Sequence, residues 1–365
     1  MSKIDRIDLF PVAIPLNHPY KSATRMTAHS EDIVVRISAN GISGWGAAAL
    51  RTFPTGETLK SAYKILEELL IPIVEGQDAF QREHILEQMD KIIPFHHSPK
   101  SAIDCALHDL IGKILNTPVY NLLGGKVRDE MPAFDILPLE SPERTSELVT
   151  ESKEKGIFAF KVKMNRDIKT SVKRVQSARE SAGEDSKIVV DANMSWTPKL
   201  AIQVCSLIEP FSITMLEQPV PGHDIDGLEF VTKNTRIPIC ADESLRPDYL
   251  GEVLRRRAAD IVNIKINREG GLLNCKKVAA CIEASGIEGL CGSVIHSALN
   301  DVASAHFFAS TPNIVFNESG KSPAWHSEDI VEGFKVINGK VQVPSGEGLG
   351  VEINEDAIQK FTFKI

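Results

Sequence analysis

The chain has 365 residues, 42% of them hydrophobic and 25% charged, with a formal net charge of −8. This is the composition of an ordinary globular protein, and its acidic balance argues against a nucleic-acid or anionic-membrane surface. A (β/α)8 barrel takes roughly 250 residues, so the length leaves room for a second, smaller domain.

In chain order, residues 3–15 and 31–38 alternate like strands, and Asn40-Gly41 marks a turn into a further short strand. The polar text between the first two strands, PYKSATRMTAHS, reads as a loop carrying two cations, and residues 52–58 (TFPTGET) read as a second loop broken by Pro and Gly. Helical spacing covers 59–74 and 81–93. The Ala-rich stretch 99–115 predicts another helix, and Gly124-Gly125 closes this α+β region.

The pattern then becomes strand, helix, strand, helix. Strand candidates are 132–137, 158–163, 187–191, 213–217, 238–242, 260–265, 288–293 and 314–317. Eight such runs predict an α/β fold, a (β/α)8 TIM-type barrel with an α+β capping domain. A doubly wound open sheet is the competitor, but no GxGxxG follows the first strand and no Walker sequence occurs. The expected division is a cap of residues 1–125 completed by 326–365, and a barrel of 126–325. The closing FKVINGKVQVPSGEGLGVEI reads as a hairpin and a Gly-rich turn that pack back on the cap.

The six cysteines contain no CxxC pair and sit mostly in apolar contexts, which predicts reduced core thiols and a cytoplasmic protein. MSKIDRIDLF mixes charges into its apolar residues and reads as a strand, not a signal peptide. No apolar stretch approaches the roughly 20 residues a membrane span needs. His96-His97 lie among prolines with no further ligand set, so no metal site is expected there.

Three acids each close an apolar run: Asp191, Glu217 and Asp242, 26 and 25 residues apart. Each interval holds one strand-plus-helix unit, so successive parallel strands deliver all three to one rim. Taken singly, an acid at a strand end reads as a helix cap or loop residue. Converging, they repel unless a cation sits among them, and an all-oxygen set suits Mg²⁺, with Mn²⁺ as the alternative. Lys161 and Lys163 share one face of the second strand, and Lys265 ends the sixth, on the other side of the acids. A metal-bound carboxylate acidifies the neighbouring carbon by stabilising an enediolate, and a neutral lysine can take the proton. The expectation is that burial and Lys161 depress the pKa of Lys163. Two lysines on opposite faces of a planar intermediate can invert a stereocentre.

Lys161-Val162-Lys163, Asp191-Ala192-Asn193, Glu217-Gln218-Pro219, Asp242-Glu243-Ser244 and Lys265-Ile266-Asn267, with SAIDCALHDLIGKILNTPVYNLLGG and GEGLGVEI, resemble the muconate-lactonizing-enzyme subgroup of the enolase superfamily. Superfamily sites of this kind use a Lys or His base with Mg²⁺ holding the enediolate. The resemblance implies metal ligands Asp191, Glu217 and Asp242 supported by Asn193 and Glu243, an acid/base pair Lys163 and Lys265, and a small carboxylate substrate touched by Lys161. It also implies a homo-oligomer.

PYKSATR, SEDIVVRI and PTGETL are most similar to dipeptide epimerases, which maps a substrate-carboxylate contact onto Arg25. Where those enzymes carry Asp-x-Asp on the eighth strand, this chain reads Asn317-Glu318-Ser319, and His296 precedes Ser297 where a Glu-Ser pair is usual. Asn317, Glu318 and His296 are therefore candidate substrate contacts. Either Glu318 or Asp301 receives the substrate ammonium, or the substrate is not a dipeptide. The expected reaction is racemisation or epimerisation of an amino-acid derivative. The alternatives are cycloisomerisation or β-elimination (o-succinylbenzoate-synthase-like) through the same enediolate, or a barrel that only binds ligand.

Overall fold

The computed structural model describes residues 2–21, 26–50 and 56–365. An antiparallel sheet of Arg6–Lys21, Met26–Ala39 and Ile42–Ala49 begins the chain, in sequential order. Asn40 and Gly41 take positive φ (51° and 78°), as the expected turn requires. The segment expected as a loop between the first strands is instead mostly strand. The arms run to Lys21 and resume at Met26, with Tyr20 opposite Thr27 and a register shift between Pro15 and Tyr20. Cross-strand pairing holds these polar arms where no apolar alternation marks them, so the residue pattern hid them.

Behind the sheet, helix Leu59–Ile65 continues through a π-turn at Leu66–Leu70 into Ile71–Val74, and Arg82–Ile92 follows. Thr58 and Ser61 form a capping box at the start of the first of these. The helix His97–Ile114 is buried from Ser98 to Gly112. The sheet lies against it so closely that a Cβ on Gly44 would stand 2.2 Å from the Ala106 carbonyl oxygen, and one on Gly46 2.1 Å from that of Ala102.

The barrel strands are Asp135–Leu137, Ala159–Lys163, Lys187–Asp191, Met215–Glu217, Ile239–Ala241, Ile261–Ile264, Glu288–Cys291 and Ile314–Asn317, parallel and in sequential order. All eight expected strands are present, most of them shorter than their apolar runs. Val189, Met215, Cys240, Leu290 and Phe316 meet in one interior cluster, and Lys187 of the third strand stands 4.9 Å from the Phe316 ring of the eighth. The sheet therefore curls round on itself. Among the described residues the first and eighth strands share no ladder. Side chains join them instead: Asn317 Nδ2 donates to the Pro132 carbonyl (3.2 Å), Arg128 to that of Ile314 (2.6 Å), and Lys321 pairs with Asp135 (2.7 Å).

The tail divides its contacts, where packing on the cap alone was expected. Lys340–Gln342 pairs with Glu130–Pro132 just ahead of the first barrel strand, while Pro118 bridges to Gly348 and Val12 to Thr362 on the cap side. The cap is seated on the barrel by Ser297 N–H to Asp32 (2.8 Å) and Ala49 N–H to Asn267 (2.8 Å). All six cysteines are free and all but Cys281 are buried. Among the described residues no helix is long and apolar enough to cross a membrane.

One buried histidine ties three segments together. His306 Nδ1 accepts from Tyr120 N–H (3.2 Å), and Nε2 lies 3.0 Å from the Leu349 carbonyl, so the neutral Nε2–H form fits both. Burial pushes its pKa down to about 4 from 6.5. Between those values the unfolded chain binds the extra proton, so this contribution is complete above about pH 6.5 and lost as pH falls towards 4. It amounts to about 3 kcal/mol. Urea unfolding from pH 7 to 4 should show that loss, and His306→Gln should flatten the slope relative to the unsubstituted chain.

Candidate active site

Strand register assembles the rim. Lys163 pairs with Asp191 and Asp191 with Glu217, so residues ending the second, third and fourth strands stand side by side. Asp242 and Lys265 lie one residue beyond the fifth and sixth strands. Alternation points Lys161 inward as well, one layer deeper than Lys163.

The acids and cations are interlocked. Lys161 Nζ lies 2.7 Å from Glu217 Oε2 and 3.8 Å from Asp191 Oδ2, and also contacts Glu318. Lys163 Nζ is 2.5 Å from Asp191 Oδ2 and 3.0 Å from Asn193 Oδ1. Lys265 Nζ meets both oxygens of Asp242, at 2.6 and 2.5 Å. The side chains of Lys163 and Lys265 keep 14% and 17% of their surface open to the mouth, against 3% for Lys161. Accessibility separates two reachable amines from one buried cation.

Electrostatics in the site are strained on the acid side. Burial, then Glu318, Asp191 and Asp242, push Glu217 well above the usual carboxylate range despite Lys161. Burial would also raise Asp242 and Asp191. Lys265 and Arg268 outweigh it at Asp242, and Lys163 and Lys161 do so at Asp191, holding both below that range. Glu243 is lifted to about 7 by burial and by its neighbours Asp242 and Asp191. The expectation of a depressed Lys163 is corrected. Burial does pull its pKa down, but the Asp191 carboxylate overrides burial and the smaller effect of Lys161, so the amine is held protonated.

Among the described residues no three His, Cys, Asp or Glu side chains already form a metal cage, because lysine ammoniums share the carboxylate oxygens. The donor set nevertheless fits a hard divalent cation. Asp191, Glu217 and Asp242 are all at most 3% exposed, offer oxygen only, and raise one another's charging cost, as Glu217 shows.

Of the other expected residues, Asn193 donates its backbone N–H to Asp191 (2.8 Å) and its side chain reaches Glu243 (3.5 Å). His296 is 2% exposed, with Nδ1 2.9 Å from the Ser297 carbonyl and Nε2 3.0 Å from Ser293 Oγ. Asn317 spends its amide on Pro132 and Ser319. Glu318 faces Lys161, and Asp301 binds Gly320 N–H, Ser322 N–H and Ser322 Oγ. Arg25 lies outside the described residues.

Four residues escaped the sequence reading. Gln218 Oε1 accepts from Asp242 N–H (2.9 Å) and Ser244 N–H (3.0 Å), fixing the loop that presents Asp242. Arg268 Nη1 binds the Asp242 side chain (2.5 Å) and carbonyl (2.8 Å). Asn263 Nδ2 reaches Glu217 Oε1 (3.3 Å). Tyr20, half-buried on the hairpin arm, stands close enough to the mouth for Lys163, Asp191, Lys161 and Glu318 to act on its phenol, whose pKa is raised chiefly by desolvation. The signal for Arg268 was its place three residues after Lys265. Gln218 stood in a motif whose acid took all the attention.

Comparison with known proteins agrees with this architecture. Residues 6–124 match the mandelate racemase / muconate lactonizing enzyme N-terminal domain, and 144–357 the enolase C-terminal domain-like family. The chain belongs to the enolase superfamily, in its muconate-lactonizing-enzyme subgroup. Within that superfamily it is an isomerase, and its relatives are named as epimerases, racemases and muconate cycloisomerases. It is 34% identical to the L-Ala-D/L-Glu epimerase of Bacillus subtilis over 96% of both chains. It is 32% identical to the N-succinyl-L-Arg/Lys racemase of Bacillus cereus over 99% of this chain and 98% of that one, and the crystal structure of that racemase superposes with a TM-score of 0.96. A dipeptide epimerase from Enterococcus faecalis, solved with Mg and L-Leu-L-Tyr, is 29% identical with a TM-score of 0.92, covering 96% of this chain and 99% of that one.

Proposed function

We propose that this protein is an Mg²⁺-dependent racemase or epimerase acting on an amino-acid derivative with a free carboxylate, such as an N-acyl amino acid or a dipeptide. The observation that carries the reading is the pair Lys163 and Lys265. Both are open to the mouth, and they stand on either side of Glu217 in strand order, each on its own acid, Asp191 and Asp242.

In this reading Asp191, Glu217 and Asp242 hold the cation, and Asn193 and Glu243 support them. The bound cation supplies Lewis-acid stabilisation of the charge that develops on the substrate carboxylate. Lys161, buried and cationic, faces the same carboxylate. With Asp191 given over to the cation, Lys163 would lose the contact that holds it protonated. In its neutral form it would take the α-proton from one face while protonated Lys265 delivers one to the other, the roles reversing for the opposite epimer. The free, mostly buried thiols support a reducing, cytoplasmic setting.

Cycloisomerisation and β-elimination pass through the same enediolate but need only one of the two amines, so the matched accessibility of both favours proton exchange between faces. NMR in D₂O with Mg²⁺ tests this: each epimer should lose its α-proton signal while the other epimer appears. Exchange accompanied by cyclised or dehydrated product alone would replace the reading with its rival.

A further inference from the structure

The hairpin arm of residues 15–21 and 26–29 carries no core of its own: of the described side chains at 15–20 and 26–29, none is buried. Its strands pair at Pro15 with His29, Tyr20 with Thr27 and Lys21 with Met26, on either side of the register shift. A two-stranded hairpin without a core is marginal in water, so its position relative to the barrel is set where it is anchored. That position matters, because Tyr20 rides on the arm close enough to Lys163 and Asp191 to feel their charges.

The anchor is at the root. Ser30, opposite Ile14, is fully buried, and its hydroxyl lies 2.8 Å from His326 Nε2. The His326 ring is itself buried, and its Nδ1 lies 2.9 Å from Asp329 Oδ2, a close contact that is not aligned as a hydrogen bond. Asp329 in turn accepts from Ala298 N–H (3.0 Å) and Ile330 N–H (2.7 Å). Farther out, Asn17 Nδ2 donates to the Ala324 carbonyl (3.2 Å). The serine–histidine–aspartate order is that of a hydrolytic triad, but a hydroxyl with no exposure meets no substrate. Its work here is mechanical.

The segment that receives the arm is firmly placed. It begins directly after Glu318, which faces Lys161. Gly320 N–H, Ser322 N–H and Ser322 Oγ all donate to Asp301 (2.7, 2.8 and 2.7 Å), and Lys321 pairs with Asp135 (2.7 Å). Residues 318–329 thus form a strut from the rim of the eighth strand to the root of the arm. Alternation puts Asp32 on the same face as Ser30. Asp32 accepts from Ser297 N–H (2.8 Å), so the body of the strand keeps a second fastening when Ser30 loses its own. We infer that Asp329, His326 and Ser30 are positioning residues, which fix the hairpin arm and Tyr20 against the mouth of the barrel through the Ser30–His326 contact. The placement is read from geometry; its effect on substrate binding rests on the proton-transfer reading above.

Hydrogen exchange followed by mass spectrometry on the full-length protein tests the placement without substrate. Ser30→Ala removes one hydroxyl and leaves His326 Nε2 buried without that partner. Amides in peptides covering 12–21 and 26–31 should exchange at least about five-fold faster, while those of the barrel strand Ala159–Lys163 keep their protection. His326→Leu should give the same local pattern, and the double variant no more than the larger single effect. Arm amides unchanged in both variants, or protection lost equally along the chain, overturns the inference. Should His326→Leu fail to fold, Ser30→Ala decides.

Turnover separates binding from chemistry. With Mg²⁺ in D₂O, the substrate is the best of a panel of N-acetyl amino acids and L-Ala-L-Xaa dipeptides. Ser30→Ala should raise KM at least about five-fold and leave kcat within about two-fold. An unchanged KM, with or without a fall in kcat, overturns the arm's part in binding. If the unsubstituted protein exchanges no member of the panel, the proton-transfer reading falls, and hydrogen exchange alone decides the placement.

Discussion

Lys163→Met is expected to reduce turnover by about a thousand-fold or more, the upper part of the range for losing a general acid or base. The more telling result is its asymmetry. In a two-lysine site the variant stops α-proton exchange for the epimer that Lys163 deprotonates, while Lys265 still removes the proton from the opposite epimer and returns it to the same face. Lys265→Met should show the mirror pattern. The structure makes the comparison fair, because the two amines have nearly equal openness and similar carboxylate partners. If each variant exchanges both epimers at the unsubstituted rate, neither lysine is the base and the proposed chemistry fails.

The second large effect concerns the acids. Asp242→Asn should abolish the heat of Mg²⁺ binding in calorimetry and reduce turnover by about a thousand-fold. It should also destabilise the protein by about 3–5 kcal/mol, because Lys265 and the buried Arg268 lose the carboxylate that neutralises them. For the unsubstituted chain, Mg²⁺ at a hundred times its dissociation constant should add about 2.7 kcal/mol of stability, and EDTA should remove it. Because these are binding and unfolding measurements, they read the metal site independently of any substrate. A melting temperature indifferent to saturating Mg²⁺ would remove the cation from the proposal.

Much of this site is written in the residue order because a parallel barrel converts linear spacing into circular position. Asp191, Glu217 and Asp242 end consecutive apolar runs, so they share a rim whatever the helices between them do. The lysines follow by the same two-residue alternation. What the order of residues conceals is partnership. Gln218 and Arg268 hold Asp242 through contacts made across loops of different strands, and neither Gln218's motif nor Arg268's spacing from Lys265 says which residue each one binds. Lys163 was expected to be depressed because its neighbour Lys161 is visible in the text, whereas Asp191, which overrides that effect, becomes adjacent only through strand register. The hairpin arms that bring Tyr20 to the mouth were hidden because pairing, not burial, sustains them.

The contact of Gly44 and Gly46 with the long helix has a consequence for how such a protein diversifies. Where a single added carbon would collide with main-chain oxygen, sheet and helix cannot slide past one another. The same strand ends at Ala49, whose amide is fastened to Asn267 on the barrel. Sheet and helix thus form one rigid unit within the cap, and exchanging residues around the opening can alter preference without disturbing it. A laboratory-evolution library confined to Tyr20, Ala49 and His296 would sample that opening while leaving the frame untouched.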